Sequence, residues 1–372
     1  MVIGDPEGSD PLLRRLERMI GIDSRSHVSN IAIADFMAGE LENWQIEKID
    51  YTDAAGTPKR NLVALDPRSV SRLGFAGHLD TVSDAGWEHP PFVARIEGHR
   101  LSGLGASDMK GPIAAFVQAA LELEPALRPM IILTADEEVG KQGVRETLGR
   151  STLLNSRPPR CFVVAEPTAN GVVRGHRADI QFLVCAKGIQ AHSSTGRGEN
   201  ANIALIPFLA DVRLLHLRLR SDVSLHDPQY DPPFCDLNFV IDNHGTLPNT
   251  TVGLATCWIK FRYSRAIDPQ PIVDAITQSA KRHGLELEIR REASPPELSP
   301  NDPIVVKAEQ ILGVTATVAG LGTEASYYSR CAPTIVFGPG DIAHAHKPSE
   351  YIDIEQLKMS VSSYRRLAQE LS

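Results

Sequence analysis

The sequence predicts an α/β fold in which a helix-flanked, mostly parallel sheet carries an inserted α+β domain. Three observations support this prediction. Short apolar segments alternate with helical patterns at both ends of the chain, and the middle has a different order of elements. The 372 residues also exceed the size at which one hydrophobic core usually stops growing.

Both ends of the chain contain elements of the predicted sheet. Residues 10–20, 30–43 and 111–123 have the apolar spacing of helices. Short apolar segments bounded by turn residues or charges alternate with them, which is typical of strands covered by helices. These strand segments are Asn61–Leu65, Leu73–Ala76, Met130–Leu133, Cys161–Ala165 and Thr334–Phe337.

The middle of the chain has the order β-α-β-β-α-β, which is the split motif of ferredoxin-like domains. A Pro-rich segment at residues 292–303 marks the return to the first domain. The predicted division is therefore a discontinuous domain of residues 1–178 and 288–372, with an inserted domain of residues 179–287.

Composition excludes several classes of protein. The 38 Lys and Arg residues against 46 Asp and Glu residues give a net charge of −8, which argues against binding to nucleic acid or to an anionic membrane. We find no apolar run of the roughly 18 residues that a spanning helix needs. The first fifteen residues lack the pattern of a secretory signal, so a cytoplasmic location is expected. The five cysteines are widely spaced and form no CxxC pair, so we expect neither a disulfide framework nor a cysteine-rich zinc site.

Clusters of polar side chains lie just after predicted strands of the outer domain, and Asp108 lies in the segment GLGASDMKG before a predicted helix. In open α/β sheets ligands bind outside the carboxyl ends of the strands, so these side chains should converge. Histidines and carboxylates without cysteine suit Zn²⁺ or a similar divalent ion. Any one of these groups is ordinary, but five at successive strand ends favour a metal centre. The groups are His78 with Asp80, Asp108, Asp136 with Glu137 and Glu138, Glu166, and His344 with His346.

The adjacent acids Glu137 and Glu138 are the most informative pair. Like charges side by side are unfavourable unless a cation lies between them or one acid has a separate role. A two-metal site satisfies both conditions, since one carboxylate can bind metal while the other acts as a base on water. Asp108 could bridge two ions, and Asp80 could accept the second N–H of His78.

Eight segments, distributed in order over almost the whole chain, carry a recognisable pattern. They are GHLDTV at 77–82, WEHPPF at 87–92, GLGASDMKG at 103–111, TADEEVG at 134–140, AEPT at 165–168, AHSS at 191–194, GTEAS at 322–326 and FGPGDIAHAHKPSEYI at 337–352. These segments resemble the zinc amidohydrolase family that contains acetylornithine deacetylase, succinyl-diaminopimelate desuccinylase, carboxypeptidase G and aminoacylase. The resemblance is strongest to the acetylornithine and acetylcitrulline deacetylases.

The resemblance implies a role for each matching residue. His78 and Glu166 would hold one Zn²⁺, Glu138 and His346 would hold the other, and Asp108 would bridge them, with Co²⁺ as a possible substitute. Glu137 would be the general base, and Asp80 would orient the site from behind His78. His346 rather than His344 matches the family ligand, because it directly precedes KPSEY.

The resemblance also assigns the inserted domain. It implies a lid that forms a homodimer, in which His192 reaches the partner's site and stabilises the oxyanion. Arg262, Asn249 and Thr323 are the implied substrate contacts, with Arg265 as an alternative to Arg262. Several substrate-reading segments depart from the family pattern, among them Ala191 where a glycine is usual, so the substrate is the least determined property.

The implied function is removal of the acetyl group from N-acetylornithine, within arginine biosynthesis. Alternatives with the same chemistry are a succinyl-diaminopimelate desuccinylase, another N-acyl-amino-acid deacylase or a small peptidase. A non-enzymatic alternative is a metal-binding scaffold on the same fold. Glu137 favours catalysis, since a scaffold would not need an unliganded base beside the ligand candidates.

Overall fold

A computed structural model describes residues 10–372. The first nine residues, which form part of the segment inspected for a secretory signal, lie outside the described residues. Among residues 10–372, no helix combines the length and the apolar character that a membrane crossing requires.

The described residues form ten α-helices and fifteen strands. The helices are α1 Pro11–Ile20, α2 Ile31–Glu40, α3 Lys110–Glu122, α4 Gln142–Arg150, α5 Thr152–Ser156, α6 Ala201–Ser221, α7 Gln270–Arg282, α8 Pro303–Leu312, α9 Ala325–Tyr328 and α10 Ile354–Leu371. The strands are β1 Gln45–Thr52, β2 Pro58–Leu65, β3 Leu73–His78, β4 Arg95–Glu97, β5 Arg100–Ser102, β6 Met130–Thr134, β7 Cys161–Val164, β8 Val173–His176, β9 Ala178–Lys187, β10 Asp236–Asp242, β11 Leu254–Tyr263, β12 Glu286–Arg291, β13 Thr317–Ala319, β14 Thr334–Val336 and β15 Tyr351–Asp353.

The chain divides into two compact units. Of the described residues, the first comprises those up to Gly175 together with Leu298–Thr317 and Thr323–Ser372, and the second comprises His176–Glu297 and Val318–Gly322. The sequence-based boundary at residue 287 falls inside β12, because the pairing of β12 with β9 continues as far as Arg291.

The first unit contains a sheet with the strand order β1-β2-β6-β3-β7-β14-β8. Strands β6, β3, β7 and β14 are parallel to one another, whereas β2 pairs antiparallel with β1 and β6, and β8 pairs antiparallel with β14. The predicted α/β fold with a mostly parallel central sheet is confirmed. Each apolar segment predicted as a strand of this sheet forms one.

Packing between β3 and α3 brings the helix close to the strand that ends at His78. A Cβ atom on Gly77 would lie 2.7 Å from the side chain of Met109 and 3.0 Å from that of Ile113. A glycine before His78 therefore permits this close approach. Behind the strand, the ring of Tyr364 on α10 packs against Phe75 at a centroid distance of 5.2 Å. The strand end is consequently held by a rigid core.

The second unit contains a four-stranded antiparallel sheet in the order β10-β11-β9-β12. With α6 after β9 and α7 after β11, this is the predicted ferredoxin-like motif. Its apolar core includes Phe182, Phe208 and Phe261. The fold of this unit is therefore the predicted one.

Several elements were not predicted, notably β1, α8 and α10. Strand β1 reads QIEKIDYT and lies at an edge of the sheet, where one face remains exposed. It lacks the continuous apolar run that marks a strand buried on both faces. Its position depends on pairing with β2 along its whole length.

Candidate metal centre

Three parallel strands bring their last residues to one edge of the first unit's sheet. His78 ends β3, Glu137 and Glu138 follow β6, and Glu166 follows β7. Because β3 lies between β6 and β7 in parallel register, these side chains emerge next to one another. The loop after β14 adds His346 to the same group.

Two groups of donor atoms share one carboxylate. His78, Asp108 and Glu166 form one group, and Asp108, Glu138 and His346 form the other. Within each group the donor atoms lie within 4.8 Å of one another. These five residues are the ones for which the family resemblance implies metal binding.

Each oxygen of Asp108 faces a different histidine. The Nε2 atom of His78 is 3.2 Å from Oδ1, and the Nε2 atom of His346 is 3.3 Å from Oδ2. His346 also lies 3.1 Å from Oε1 of Glu138. Asp108 therefore has the geometry of a bridge between two neighbouring cation positions.

The donors fit a pair of divalent cations by their chemistry. Nitrogen and carboxylate oxygen are ligands of Zn²⁺ and similar ions. The Oδ1 atom of Asp108 is buried and accepts no well-oriented hydrogen bond within the described residues, although His78 is close. Burial raises the pKa of Glu138 to about 7, and burial and the charge of Asp108 raise that of Glu166 well above its ordinary value. A cation between these carboxylates would favour their charged forms.

The neighbouring carboxylates raise the pKa values of both histidines. Burial alone would lower the pKa of His78, but Asp108 and Asp80 outweigh burial and raise it. Hydrogen bonds with Asp108 and Glu138 raise the pKa of His346 to about 10. The same contacts with the two histidines lower the pKa of Asp108 despite its burial.

Glu137 is close to the metal ligands but belongs to neither donor group found among residues 10–372. Burial raises the pKa of its carboxyl group, while Lys141 and His78 oppose that shift. The Nζ atom of Lys141 is 3.6 Å from Oε1 of Glu137. Glu137 is thus a buried carboxylate beside the candidate cation positions, with a lysine at its side.

Asp80 contacts both His78 and the loop that follows β6. Its backbone carbonyl lies 2.9 Å from Nδ1 of His78, whereas its carboxylate Oδ1 is 3.5 Å away. The carboxylate also accepts the backbone N–H groups of Glu137 and Glu138 at 3.2 and 3.3 Å. It therefore holds Glu137 and Glu138 as well as the imidazole of His78, a link that the sequence does not reveal.

Sequence reasoning did not single out Glu350, although KPSEY was part of the matching segment. Its buried carboxylate accepts backbone N–H groups from Gly105, Ser107 and Asp108 at 3.1, 2.8 and 2.9 Å. Burial raises its pKa to about 7. Glu350 fixes the loop that presents the shared Asp108.

Glu324 is a second missed acid, within the matching segment GTEAS. Thr134 donates its hydroxyl hydrogen bond to this carboxylate, 2.8 Å from either oxygen, and burial raises the Glu324 pKa to about 8. The neighbouring Thr323, an implied substrate contact, is also buried.

The last histidine candidate, His344, lies outside both donor groups found among residues 10–372. Its Nε2 atom lies 2.9 Å from the hydroxyl of Tyr351.

The remaining predicted site residues lie in the second unit. His192 is exposed, and its Nδ1 atom is 2.8 Å from the hydroxyl of Ser194. The backbone carbonyl of Asn249 accepts a hydrogen bond from Ser193 at 2.9 Å, so Asn249 lies beside His192.

The two arginine candidates on this unit differ in the length of their hydrogen bonds. Arg262 on β11 contacts Asp236 at 3.5 Å, at the limit of a hydrogen bond. Arg265 donates to the backbone carbonyl of Glu297 at 2.8 Å. The guanidinium of Arg262 is the less firmly held of the two.

Comparison with known proteins assigns the family. Residues 74–370 match the peptidase family M20/M25/M40. The chain belongs to this family, and it is a metal-dependent hydrolase.

The most similar relatives include acetylornithine deacetylases. The chain is 29% identical to the one from Pectobacterium carotovorum subsp. carotovorum (strain PC1), over 90% of each chain. It is 31% identical to the one from Myxococcus xanthus, over 93% of this chain and 94% of the relative.

Solved structures share the fold at lower identity. Human carnosine dipeptidase 1 superposes with a TM-score of 0.75 at 15% identity, over 96% of this chain and 97% of that one. An M20 metallo-carboxypeptidase from Sulfolobus solfataricus has a TM-score of 0.73 at 17% identity, over 98% and 99%. A dinuclear metal-binding M20 peptidase from Bacillus subtilis has a TM-score of 0.62 at 15% identity, over 96% of each chain. At these identities the likeness establishes the fold alone.

Proposed function

We propose that this protein hydrolyses the amide bond of an N-acyl amino acid, with N-acetylornithine as the preferred substrate and ornithine and acetate as products. One observation carries the proposal: the buried, unliganded Glu137 lies beside two donor groups that share Asp108. The acetylornithine deacetylase relatives, which match over about nine-tenths of the chain, support the choice of substrate.

Two metal positions follow from the donor groups. His78 and Glu166 would hold one Zn²⁺, Glu138 and His346 would hold the other, and Asp108 would contact both. When bound, such ions supply Lewis-acid activation of water and of the acyl oxygen. Because Co²⁺ accepts similar nitrogen and oxygen ligands, it should substitute for zinc.

Glu137 performs the proton transfers in this proposal. Its carboxylate accepts a proton from the attacking water as the new C–O bond forms at the acyl carbon. It then donates that proton to the amine nitrogen as the C–N bond breaks, which releases a carboxylate and a free amine. A buried base whose pKa is raised towards the working pH suits both steps, because it must gain and lose the proton in each turnover.

The substrate-reading residues belong to the second part of the proposal. Arg262 would pair with the α-carboxylate, and Asn249 and Thr323 would contact the substrate. Arg262 is favoured over Arg265 because its contact with Asp236 is long and easily exchanged. His192 would donate a hydrogen bond to the developing oxyanion of the partner subunit's substrate, which requires a homodimer through the second unit.

Exposed apolar residues on the second unit support a second copy as the partner. Strand β10 lies at the edge of its sheet, and Phe239, Val240 and Ile241 on it are each at least 40% exposed. Helix α6 exposes further apolar side chains, namely Ile203, Ile206, Leu214 and Leu217. An open strand edge beside apolar side chains is suited to a symmetric contact between copies.

A substrate panel tests the proposed activity. The purified protein, loaded with Zn²⁺ or Co²⁺, is assayed for release of free amine from acetyl, formyl and succinyl derivatives of ornithine, citrulline, diaminopimelate and methionine, and from simple dipeptides. The highest kcat/KM is expected for N-acetylornithine. A value at least about tenfold higher for succinyl-diaminopimelate or a dipeptide would assign that substrate instead. No turnover, with less than about one bound metal per chain, would favour the scaffold alternative.

Complementation tests the role of His192. A Glu137→Ala chain and a His192→Ala chain, with different tags, are co-expressed and the mixed dimer is purified. If His192 acts across the interface, one of the two sites is intact and activity returns to about half that of wild type. A mixed dimer as inactive as both parent dimers would place His192 in its own chain's site, and a monomeric wild type would exclude the dimer.

A further inference from the structure

We propose that Tyr51 and Lys59 are positioning residues, which act through Asp136 to hold Glu137 and Glu138 in place. The inference rests on the proposed function for its kinetic consequences, but its effect on metal binding can be measured separately. It also gives a role to Asp136, the first of the three consecutive acids Asp136, Glu137 and Glu138. Asp136 lies in neither donor group of the described residues.

Both oxygens of Asp136 are held by residues outside its loop. The Nζ atom of Lys59 is 2.9 Å from Oδ1, and the hydroxyl of Tyr51 donates to Oδ2 at 2.7 Å. Tyr51 lies on β1 and Lys59 on β2, so Asp136 joins the end of β6 to two other strands of the sheet. Asp136 is 2% exposed, and water therefore competes little with these contacts.

Lys59 is itself fixed. Its side chain is fully buried, and its ammonium group also donates to the backbone carbonyls of Ser26 and Val28. The ammonium group also forms ion pairs with the carboxylates of Asp136, at 2.9 Å, and Asp53, at 3.8 Å. The two backbone carbonyls therefore fix the position of the Lys59 ammonium group beside Asp136.

Ser26 connects this anchor to the opposite side of the loop. Its carbonyl accepts from Lys59, and its hydroxyl donates to Oδ2 of Asp80 at 2.8 Å. The Asp80 carboxylate in turn accepts the backbone N–H groups of Glu137 and Glu138. One serine is thus linked to consecutive residues of one loop by two routes. The first is a hydrogen bond and an ion pair through Lys59, and the second is a set of hydrogen bonds through Asp80.

The backbone at Asp136 explains why such an anchor is useful. Asp136 has a φ of 63°, in the left-handed region that is disfavoured for residues with a side chain and least so for Asn and Asp. This turn directs the chain from the end of β6 towards the two glutamates. Conformations of this kind persist when surrounding contacts determine them, and contacts at both carboxylate oxygens do so here.

The alternative is that the buried ion pair only stabilises the fold. A buried ion pair is by itself weak evidence for stability, because desolvation offsets much of the attraction. The two roles differ in what they predict. A positioning role predicts altered metal binding and turnover at Glu137 and Glu138, whereas a purely structural role predicts only a lower unfolding temperature.

Tyr51→Phe is the principal test, since it removes one hydroxyl and little volume. Metal-free protein is titrated with Co²⁺, followed by the visible absorption of the bound ion, and kcat and KM are measured for the wild-type enzyme's best substrate. We expect the weaker of two Co²⁺ affinities to fall about tenfold, with the stronger one unchanged. We also expect kcat to fall by about 10- to 100-fold, with KM within about twofold of wild type.

Tyr230→Phe is the matched control, because the hydroxyl of Tyr230 bonds the carboxylate of Glu297 at 3.2 Å within the second unit. It should leave both Co²⁺ affinities as in wild type.

A second pair of variants, Asp136→Asn and Asp136→Ala, tests the contacts that the Asp136 side chain makes with Tyr51 and Lys59. Asn keeps an acceptor for Tyr51 and tolerates the positive φ, so Asp136→Ala should weaken the second Co²⁺ site more than Asp136→Asn.

The proposal is overturned if Tyr51→Phe binds Co²⁺ at both sites with wild-type affinity, or if Tyr230→Phe causes the same loss. It is also overturned if Asp136→Ala and Asp136→Asn are equivalent. If the wild type cleaves no N-acyl amino acid, the proposed function fails, but the Co²⁺ titrations still decide whether Tyr51 and Asp136 position the second site.

Discussion

The two donor groups of the candidate metal centre share Asp108 but differ in how they are supported. His78 and Glu166 lie at the ends of adjacent parallel strands and are 1% and 4% exposed. Glu138 and His346 lie in loops, and the His346 side chain is 49% exposed. His346 also has a positive φ of 59°, so its position depends on its loop.

This difference separates two demands on a hydrolytic site. A ligand on a buried strand is preorganised, because the sheet fixes its backbone before any cation arrives. A ligand on a loop depends on contacts made elsewhere, such as those of Asp80 and Asp136. We therefore expect the His78–Glu166 position to bind a metal ion more tightly than the Glu138–His346 position.

Glu137→Ala should have the largest effect, because it would remove the proposed base without removing a proposed ligand from either position. We expect a loss of about three or more orders of magnitude in kcat, with both metals retained. Turnover is measured together with metal content by atomic emission. If metal content fell while activity per bound metal stayed normal, Glu137 and Glu138 would have exchanged roles.

His346→Ala tests the exposed position directly. Metal content should fall to about one ion per chain, and partial activity, about 10- to 100-fold below wild type, should remain. The matched control is His344→Ala, which removes a histidine two residues away that bonds Tyr351 instead. Unchanged metal content in His346→Ala, with loss in His344→Ala, would reverse the assignment.

Glu350→Gln tests the support of Asp108, the residue that both metal positions share. Two of the three backbone N–H groups can still bond the amide oxygen, but the third would face an NH₂ group. The affinities of both positions should therefore weaken, by up to about tenfold each, as measured by Co²⁺ titration. An effect on only one position would show that Glu350 does not act through Asp108.

The smallest expected effect is the pH dependence of stability in the metal-free protein. The pKa of His346 is raised from 6.5 to about 10 in the folded state, so its contribution is complete below about pH 6.5 and is lost as pH rises towards 10. The raised pKa of Glu138, about 7 against 4.5, has the same sign over a lower range. The metal-free unfolding temperature should thus decrease with rising pH.

Metal reverses this trend, because binding requires both side chains to be deprotonated. The gain in unfolding temperature on adding Zn²⁺ should increase between about pH 6 and about pH 9. Differential scanning calorimetry in chelator and in Zn²⁺ measures both curves. A metal-free protein that becomes more stable with rising pH in this range would contradict the assigned environments of His346 and Glu138.

The sequence by itself determined the layout of the fold and the chemistry of the centre. Apolar segments bounded by turns identified β2, β3, β6, β7 and β14, and polar residues after β3, β6, β7 and β14 supplied the metal-ligand candidates other than Asp108, which precedes α3. These predictions use only local sequence, since a short apolar segment indicates a buried strand and the residues directly after it are known from the sequence. The parallel pairing of β3 with β6 and β7 brings the residues that follow these strands to one edge of the sheet.

Only the tertiary structure decided what holds these residues in place. The contacts of Lys59 with Asp136, of Asp80 with the loop after β6, and of Glu350 with the Asp108 loop join residues 57 to 242 positions apart in the chain. Periodicity carries no record of such pairs, because a buried lysine or glutamate looks in sequence like an exposed one. Its partner is defined only when the sheet brings distant segments together, and a buried polar group without such a partner would be costly.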